Sequence, residues 1–115
     1  MGYVPERGDV VWLNFTPQVG HEQAGRRPAL VLSAATYNGR VGLAIVCPIT
    51  SHAKGYPFEV ALADGLPIRG VILADQARSL DWRGRQAEFI DRAPGRVLDQ
   101  VIRKLAALVG FRTAA

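Results

Sequence analysis

The stretch GDVVWLNFTPQVGHEQAGRRPALVLS, residues 8–33, places two apolar runs on either side of a polar loop. The first run, residues 8–15, is rich in β-branched and aromatic side chains and is closed by a Thr-Pro pair, which predicts a strand. The second run, residues 28–33, is continuously apolar, as in a central strand buried on both faces. The stretch therefore predicts a β-rich fold whose first two strands are joined by residues 20–28.

The connection at residues 20–28 carries polar side chains between glycines, which permit a sharp turn and a close approach to a ligand. Pro28 restricts Arg27 to an extended conformation, which suits the first residue of a strand. The side chains displayed are an imidazole, a carboxylate, an amide and two guanidinium groups, on His21, Glu22, Gln23, Arg26 and Arg27. Folding does not require this set, so a functional loop and a solvated hairpin connection are equally open at this point.

The pattern after the second run predicts further short strands. The pair Asn38-Gly39 predicts a tight hairpin turn before a third strand at residues 41–49. Later strands are predicted at residues 58–61, 70–80 and 87–90, the second of them turning polar halfway along. Short strands at regular intervals favour a small antiparallel barrel or a strongly bent sheet.

Apolar residues recur at three- and four-residue spacing after Pro94, which predicts a C-terminal helix that stops at Gly110. These residues are Val97, Leu98, Val101, Ile102, Leu105, Leu108 and Val109. An apolar stripe of this kind more often packs on a core than on a partner, so the helix is expected to cover one open side of the sheet. The predicted fold class is mainly β, a small antiparallel barrel closed by a C-terminal helix, with residues 1–115 as a single domain.

Composition favours a compact domain with a polyanionic partner. The 115 residues are 49% apolar, which is ample for one core. The formal net charge is +4, with a sequence pI near 9.8. Arginine predominates, since Lys54 and Lys104 are the only lysines, and the guanidinium group suits bidentate contact with phosphate. No apolar run approaches the length of a membrane span and the N-terminus lacks a signal-peptide pattern, so no membrane association and a cytoplasmic location are expected.

The residues that could carry chemistry do not form a metal or nucleotide motif. Cys47 is the only cysteine and is expected to be a small buried residue, and His21 and His52 are the only histidines. There is no HExxH, Walker or GxSxG pattern. No metal and no cofactor are therefore expected. What remains is chemistry on an RNA phosphodiester, whose 2′-OH is its own nucleophile, so that the protein supplies a base, a cation and a proton donor.

Several polar positions can fill these roles. Arg26 and Arg27 are always protonated and can only stabilise charge, whereas either Glu22 or His21 can act as the base. The hydroxyl group of Thr50 can hold a phosphate oxygen, or it can cap a turn at the end of a strand.

A second group of candidates lies later in the chain. Asp75 and Gln76 interrupt an apolar run, where they can form a hydrogen-bonded structural pair or read the edge of a base. Trp82, flanked by Arg83 and Arg85, can stack a nucleobase beside cations.

Four segments, GHEQAGRRP, CPIT, KGYPFEV and ADQARSLDWRGR, occur in this order at residues 20–28, 47–50, 54–60 and 74–85. In sequence, order and spacing they resemble the MazF (PemK/Kid) toxins of bacterial toxin–antitoxin modules. The similarity runs from about residue 4 to residue 110, and four linked motifs are far more specific than any one of them.

The resemblance implies a small SH3-like barrel with a closing helix, a homodimer, and a sequence-specific, metal-independent endoribonuclease. Such enzymes cut single-stranded RNA, usually mRNA, and leave a 2′,3′-cyclic phosphate and a 5′-OH. A cognate MazE-like antitoxin inhibits them by laying an acidic tail over the RNA groove.

The catalytic residues that the resemblance implies are Arg27, Thr50 and Glu22. Lys54 and Gln76 are implied along the RNA path, and residue chemistry adds further candidates. The expected RNA-binding residues are His21, Gln23, Arg26, Asn38, Lys54, Gln76, Arg83 and Arg85.

Two other functions remain open at this stage. CcdB-like toxins resemble this fold but bind DNA gyrase without cutting RNA, and they lack the loop glutamate and the Arg-Pro and Ile-Thr motifs that this chain carries. A non-catalytic nucleic-acid-binding barrel would bind RNA without cleaving it.

Overall fold

Seven strands and two α-helices form the described part of the computed structural model, which covers residues 2–16 and 25–112. In chain order they are β1 (Asp9–Asn14), β2 (Arg26–Val31), α1 (Ala35–Val41), β3 (Leu43–Thr50), β4 (Glu59–Ala61), β5 (Val71–Leu73), a 3₁₀ turn (Ala74–Gln76), β6 (Arg78–Asp81), β7 (Glu88–Arg92) and α2 (Gly95–Leu108). The predicted mainly β class with a C-terminal helix is confirmed.

The strands pair in the order β4-β5-β3-β2-β1-β7, and β6 pairs with β3 as well. Every pairing is antiparallel. The sheet curls like a barrel, but its two end strands, β4 and β7, do not pair with each other in the described residues, so it is not closed by hydrogen bonds.

Both faces of the sheet are packed, because alternate residues of each strand point to opposite sides. In β1, Val10 belongs to one apolar cluster, while Val11 and Leu13 belong to another on the opposite face. Helix α2 covers the first face, where Val97 and Val101 are buried one turn apart. The predicted core-packing stripe is therefore present from Val97 to Leu105, whereas Leu108 and Val109 are exposed.

Strand β3 shares one of its edges between two strands. Val46 faces Arg78 of β6, whereas Ile49 faces Ile72 of β5. Val46 and Ile49 are three residues apart on β3, whereas their partners Arg78 and Ile72 are six residues apart. The three extra residues form the 3₁₀ turn Ala74–Gln76. The continuous strand predicted at residues 70–80 is therefore wrong, because the register changes at the point where the sequence turns polar.

The hairpin turn predicted at Asn38-Gly39 is also wrong, because this segment is the helix α1. The Asn38 side chain is fully buried: its amide nitrogen donates to the carbonyls of Pro5 (2.8 Å) and Ser33 (2.9 Å), and its oxygen accepts from the Ser33 hydroxyl (2.6 Å). Its backbone carbonyl accepts from the indole nitrogen of Trp82 at 2.9 Å. Asn38 was expected to bind RNA, but this burial corrects that assignment to a structural one.

A second buried polar group anchors the N-terminal segment. The carboxylate of Asp9 accepts hydrogen bonds from the Tyr3 hydroxyl and from the backbone nitrogen of Glu6, and it pairs with Arg92 of β7 at 2.6 Å. Burial, followed by the hydrogen bond to Asp9, raises the pKa of the Tyr3 hydroxyl above its ordinary value. The residues before β1 are thus tied through Asp9 to β7, the edge strand that pairs with β1.

Cys47 lies fully buried in the middle of β3, as expected for a small apolar residue. Burial raises the pKa of its thiol to about 12, with a smaller contribution from Asp75. The thiol is therefore protonated at neutral pH and unreactive.

Replacing Asn38 by alanine should lower the free energy of unfolding by about 2–4 kcal/mol, because several buried hydrogen-bonding groups lose their partner at once. Urea denaturation followed by tryptophan fluorescence measures this change. Gln100→Ala, at an exposed polar position of α2, is the control and should change stability by less than about 0.5 kcal/mol. A loss below about 1 kcal/mol in Asn38→Ala would contradict the structural role.

Candidate functional site

The ends of β2 and β3 bring Arg27 and Thr50 to one place. The β2–β3 ladder ends where Ala29 faces Pro48, and Arg27 and Thr50 each lie two residues beyond that pair. Both side chains line the same cleft, which has a volume of about 540 Å³. A guanidinium group and a hydroxyl group therefore line one cleft beyond the paired part of these two strands.

Thr50 is held in place by backbone on two sides. Its side chain is buried, with the residue 5% exposed, and its hydroxyl oxygen accepts a hydrogen bond from the backbone nitrogen of His52 at 3.2 Å. This bond uses an acceptor site only, so the hydroxyl keeps its own proton to donate. On the other side the chain passes so close at Gly70 that a Cβ there would lie 2.2 Å from the Thr50 carbonyl oxygen.

Residues 51–58 form one rim of the cleft, and we call them the cleft loop. His52, Lys54 and Tyr56 of this loop line the cleft and are exposed. The Lys54 ammonium group lies 5.9 Å from the centre of the Tyr56 ring, which is within cation–π range. The loop therefore presents a cation and an aromatic ring together.

The 3₁₀ turn between β5 and β6 forms a second rim, which is joined to the cleft loop because the backbone nitrogen of Ala74 donates to the Phe58 carbonyl at 3.1 Å. It brings Asp75 and Gln76 to the cleft, and Leu73 at the end of β5 completes this side. The amide of Gln76 can both donate and accept hydrogen bonds, as needed to read the edge of a base. All the lining residues together are Arg27, Thr50, His52, Lys54, Tyr56, Glu59, Leu73, Asp75 and Gln76.

Four of the residues predicted for the site thus converge on the cleft: Arg27, Thr50, Lys54 and Gln76. His21, Glu22 and Gln23 lie outside the described residues. His52, Tyr56, Glu59 and Leu73 line the cleft but were not assigned to the site from the sequence, whereas Asp75, named there as a candidate to read a base edge, lines it as well. Two of them, Tyr56 and Glu59, belong to the motif at residues 54–60. The match of that whole motif was the sequence signal that could have placed them at the site.

The remaining predicted RNA-binding arginines have contacts elsewhere. Arg26 forms an exposed ion pair with Glu88 of β7 at 3.1 Å. Arg85 donates to the backbone carbonyls of Asn14 and Thr16, at 3.0 and 3.1 Å, and so secures the end of β1. None of these arginines is among the residues that line the cleft.

Arg83 and Trp82 also differ from the expected base-stacking pair. Trp82 is only 4% exposed and packs in the second apolar cluster, which leaves no ring face for a nucleobase. The Arg83 guanidinium group lies 4.8 Å from the centre of that ring and covers it from outside. Trp82 is therefore a core residue, and the exposed ring at the cleft is that of Tyr56.

The described residues lack two features that would indicate other classes of function. Among residues 2–16 and 25–112, no three histidine, cysteine, aspartate or glutamate residues form a group that could hold a metal ion. None of the helices in the same residues is long and apolar enough to span a membrane.

Comparison with known proteins gives consistent matches over most of the chain. Residues 6–109 match the family model described as PemK-like, MazF-like toxin of type II toxin–antitoxin system. The endoribonuclease toxin MazF of Escherichia coli K12 is 44% identical over 108 residues, which cover 94% of this chain and 96% of that protein. The endoribonuclease PemK of Escherichia coli is 35% identical over 109 residues, covering 90% of this chain and 81% of that protein.

Solved structures match the fold equally well. The crystal structure of MazF from Deinococcus radiodurans superposes with a TM-score of 0.93 and 62% identity, covering 96% of this chain and 100% of that one. MazF in a MazE–MazF complex from the same organism gives a TM-score of 0.87 and 55% identity, again covering 96% and 100%.

Gly70→Ala should destabilise the chain by about 1–3 kcal/mol more than Gly65→Ala, because only the first adds a steric clash. Both glycines have positive φ, +142° at Gly70 and +88° at Gly65, but a Cβ at Gly65 meets nothing within 4 Å. Urea denaturation of the two variants measures the difference. Equal losses of stability would show that the backbone at Gly70 does not constrain Thr50.

Proposed function

The chain belongs to the family of PemK-like, MazF-like toxins of type II toxin–antitoxin systems and is an endoribonuclease, and we propose that it cuts single-stranded RNA at the cleft of Arg27 and Thr50. The observation that carries this proposal is convergence. Arg27, Thr50, Lys54 and Gln76 come from four separate places in the sequence, and all four line one cleft.

The proposed reaction is an internal transfer at phosphorus. The RNA 2′-oxygen attacks the adjacent phosphorus, a new P–O bond forms, and the bond to the 5′-oxygen breaks. The products are a 2′,3′-cyclic phosphate and a 5′-OH. A base takes the proton of the 2′-OH, and an acid returns a proton to the leaving 5′-oxygen. No metal and no cofactor take part in this scheme.

Arg27 and Thr50 are proposed to stabilise the charge that grows on the non-bridging phosphate oxygens. The guanidinium group is permanently charged and planar, which matches two such oxygens. The Thr50 hydroxyl donates its proton to one of them, since its oxygen already accepts the backbone N–H of His52. Donors fixed before the reaction begins stabilise the transition state at no cost of reorganisation. Glu22 is proposed as a catalytic acid or base, with His21 as the alternative base.

RNA binding is proposed along the two rims of the cleft. The Lys54 ammonium group attracts the phosphate backbone, and the exposed Tyr56 ring offers a face on which a base can stack. Gln76 is proposed to contact a base edge from the second rim. The remaining proposed contacts, from His21, Gln23, Arg26, Arg83 and Arg85, would lie outside this cleft or outside the described residues.

The partner of this toxin is a MazE-like antitoxin, and we propose that the toxin itself forms a homodimer, as its resemblance to the family implies. We propose that an acidic segment of the antitoxin lies over the same cleft, because the cations that bind RNA also attract carboxylates.

We also propose a cytoplasmic location, where mRNA is accessible. The curated relatives are named endoribonucleases, which favours RNA cleavage over gyrase binding or simple RNA binding.

Arg27→Ala and Thr50→Val should each lower kcat for RNA cleavage by about 10²–10³-fold, as expected when one fixed donor to a transition-state oxygen is removed. Thr50→Ser keeps the hydroxyl group and should retain most of the activity. Purified protein is incubated with a long single-stranded RNA in excess EDTA, and primer extension maps the ends.

Arg40→Ala, at an exposed arginine of α1, is the matched control and should cut at the wild-type rate. Discrete cuts that persist in EDTA and vanish in the Arg27 variant support the proposal. Intact RNA with the wild-type protein would refute it, and a gyrase supercoiling assay would then test the alternative.

A further inference from the structure

Glu59 lines the cleft, but its carboxylate is engaged by the cleft loop. One carboxylate oxygen accepts hydrogen bonds from the backbone nitrogens of Gly55, at 3.0 Å, and Lys54, at 3.2 Å. The other oxygen lies 3.0 Å from the same Lys54 nitrogen. A carboxylate used in this way is a structural anchor, because its acceptor sites are directed at the backbone.

The loop wraps around this carboxylate. Gly55 has a φ of +77°, which turns two successive N–H groups toward one point and forms an anion-binding concavity. The loop closes on the start of β4 where the backbone nitrogen of Glu59 donates to the Tyr56 carbonyl at 3.1 Å. With the backbone of residues 54–56 fixed in this way, the Lys54 and Tyr56 side chains are held at the cleft.

A second anchor comes from the C-terminal helix. The Lys104 ammonium group of α2 donates a hydrogen bond to the carbonyl of Pro57. Lys104 is half-buried, so its aliphatic stem lies along the protein while its charge reaches the loop. The cleft loop is therefore held from β4 on one side and from α2 on the other.

We propose that Glu59 and Lys104 are positioning residues that hold the cleft loop in its RNA-binding conformation. This inference rests on the proposed function of the cleft. The two anchors fix where Lys54 and Tyr56 meet the RNA before it binds, so less conformational freedom is lost on binding. Because both anchors are bonded to the backbone of the cleft loop, they act on substrate binding and leave the chemical step unchanged.

The test compares steady-state cleavage of a short fluorogenic RNA that contains a mapped cut site. Glu59→Ala should raise KM about tenfold and keep kcat within about twofold of wild type. This pattern is expected when a variant loses binding energy equally for the substrate and for the transition state. Glu59→Gln should restore most of the affinity, because the amide oxygen still accepts the backbone hydrogen bonds. Lys104→Met keeps the stem and should raise KM about threefold.

Matched controls separate positioning from a general loss of charge. Asp64→Ala removes an exposed carboxylate from the loop after β4, and Arg103→Met removes an exposed cation next to Lys104 on α2. Neither should change KM or kcat.

An unchanged KM in Glu59→Ala would overturn the inference, as would a fall in kcat as large as that of Arg27→Ala. Equal damage in Glu59→Ala and Glu59→Gln would also overturn it, because the charge would then matter more than the hydrogen bonds. If Glu59→Ala does not fold, Lys104→Met against Arg103→Met decides the question. A wild-type protein that cuts no RNA refutes the proposed function, whereas a cutting enzyme with an unchanged Glu59→Ala variant refutes only the positioning role.

Discussion

One edge of β3 pairs with two different strands, β5 and β6, and the cleft depends on this arrangement. β5 and β6 both pair with this edge, in registers that differ by the length of the 3₁₀ turn Ala74–Gln76. The chain must leave the ladder between them, which carries Gln76 out to the cleft. The same strand ends at Thr50, and its other edge pairs with β2, which brings Arg27. The site is therefore a consequence of how β3 is shared.

Buried polar side chains show which parts of the structure serve stability and which serve the site. Asp9, Asn38 and Thr50 are the buried polar or charged residues of the described chain. Asp9 and Asn38 each bind several neighbours and tie the N-terminal segment to the sheet, which offsets the cost of burying them. Of these three residues, only Thr50 lines the cleft. Its hydroxyl group accepts one backbone hydrogen bond and still has a proton to donate.

The charges at the cleft bear on the proposal that the antitoxin binds where the RNA does. The chain carries a formal net charge of +4, and Arg27 and Lys54 place two cations in the cleft, which Glu59 and Asp75 also line. The Glu59 carboxylate in the same cleft is directed at backbone N–H groups, so it is positioned to hold the loop. Under the proposed function, the cations that attract RNA phosphates also attract the carboxylates of an acidic antitoxin segment, so the two ligands would compete for one surface.

Features that depend on local pattern could be predicted from the sequence alone. The first two strands followed from apolar runs, the helix α2 from its apolar repeat, and the link between Arg27 and Thr50 from family motifs. Features that depend on contacts between residues far apart in the sequence could be seen only in the folded chain. Asn38 lies in a helix and not a hairpin, and Trp82 is core and not a stacking platform, because residues 44 positions apart share a buried hydrogen bond. Hydrophobic periodicity is a property of one segment, whereas the partner of a buried polar group is chosen by the packing of the whole chain.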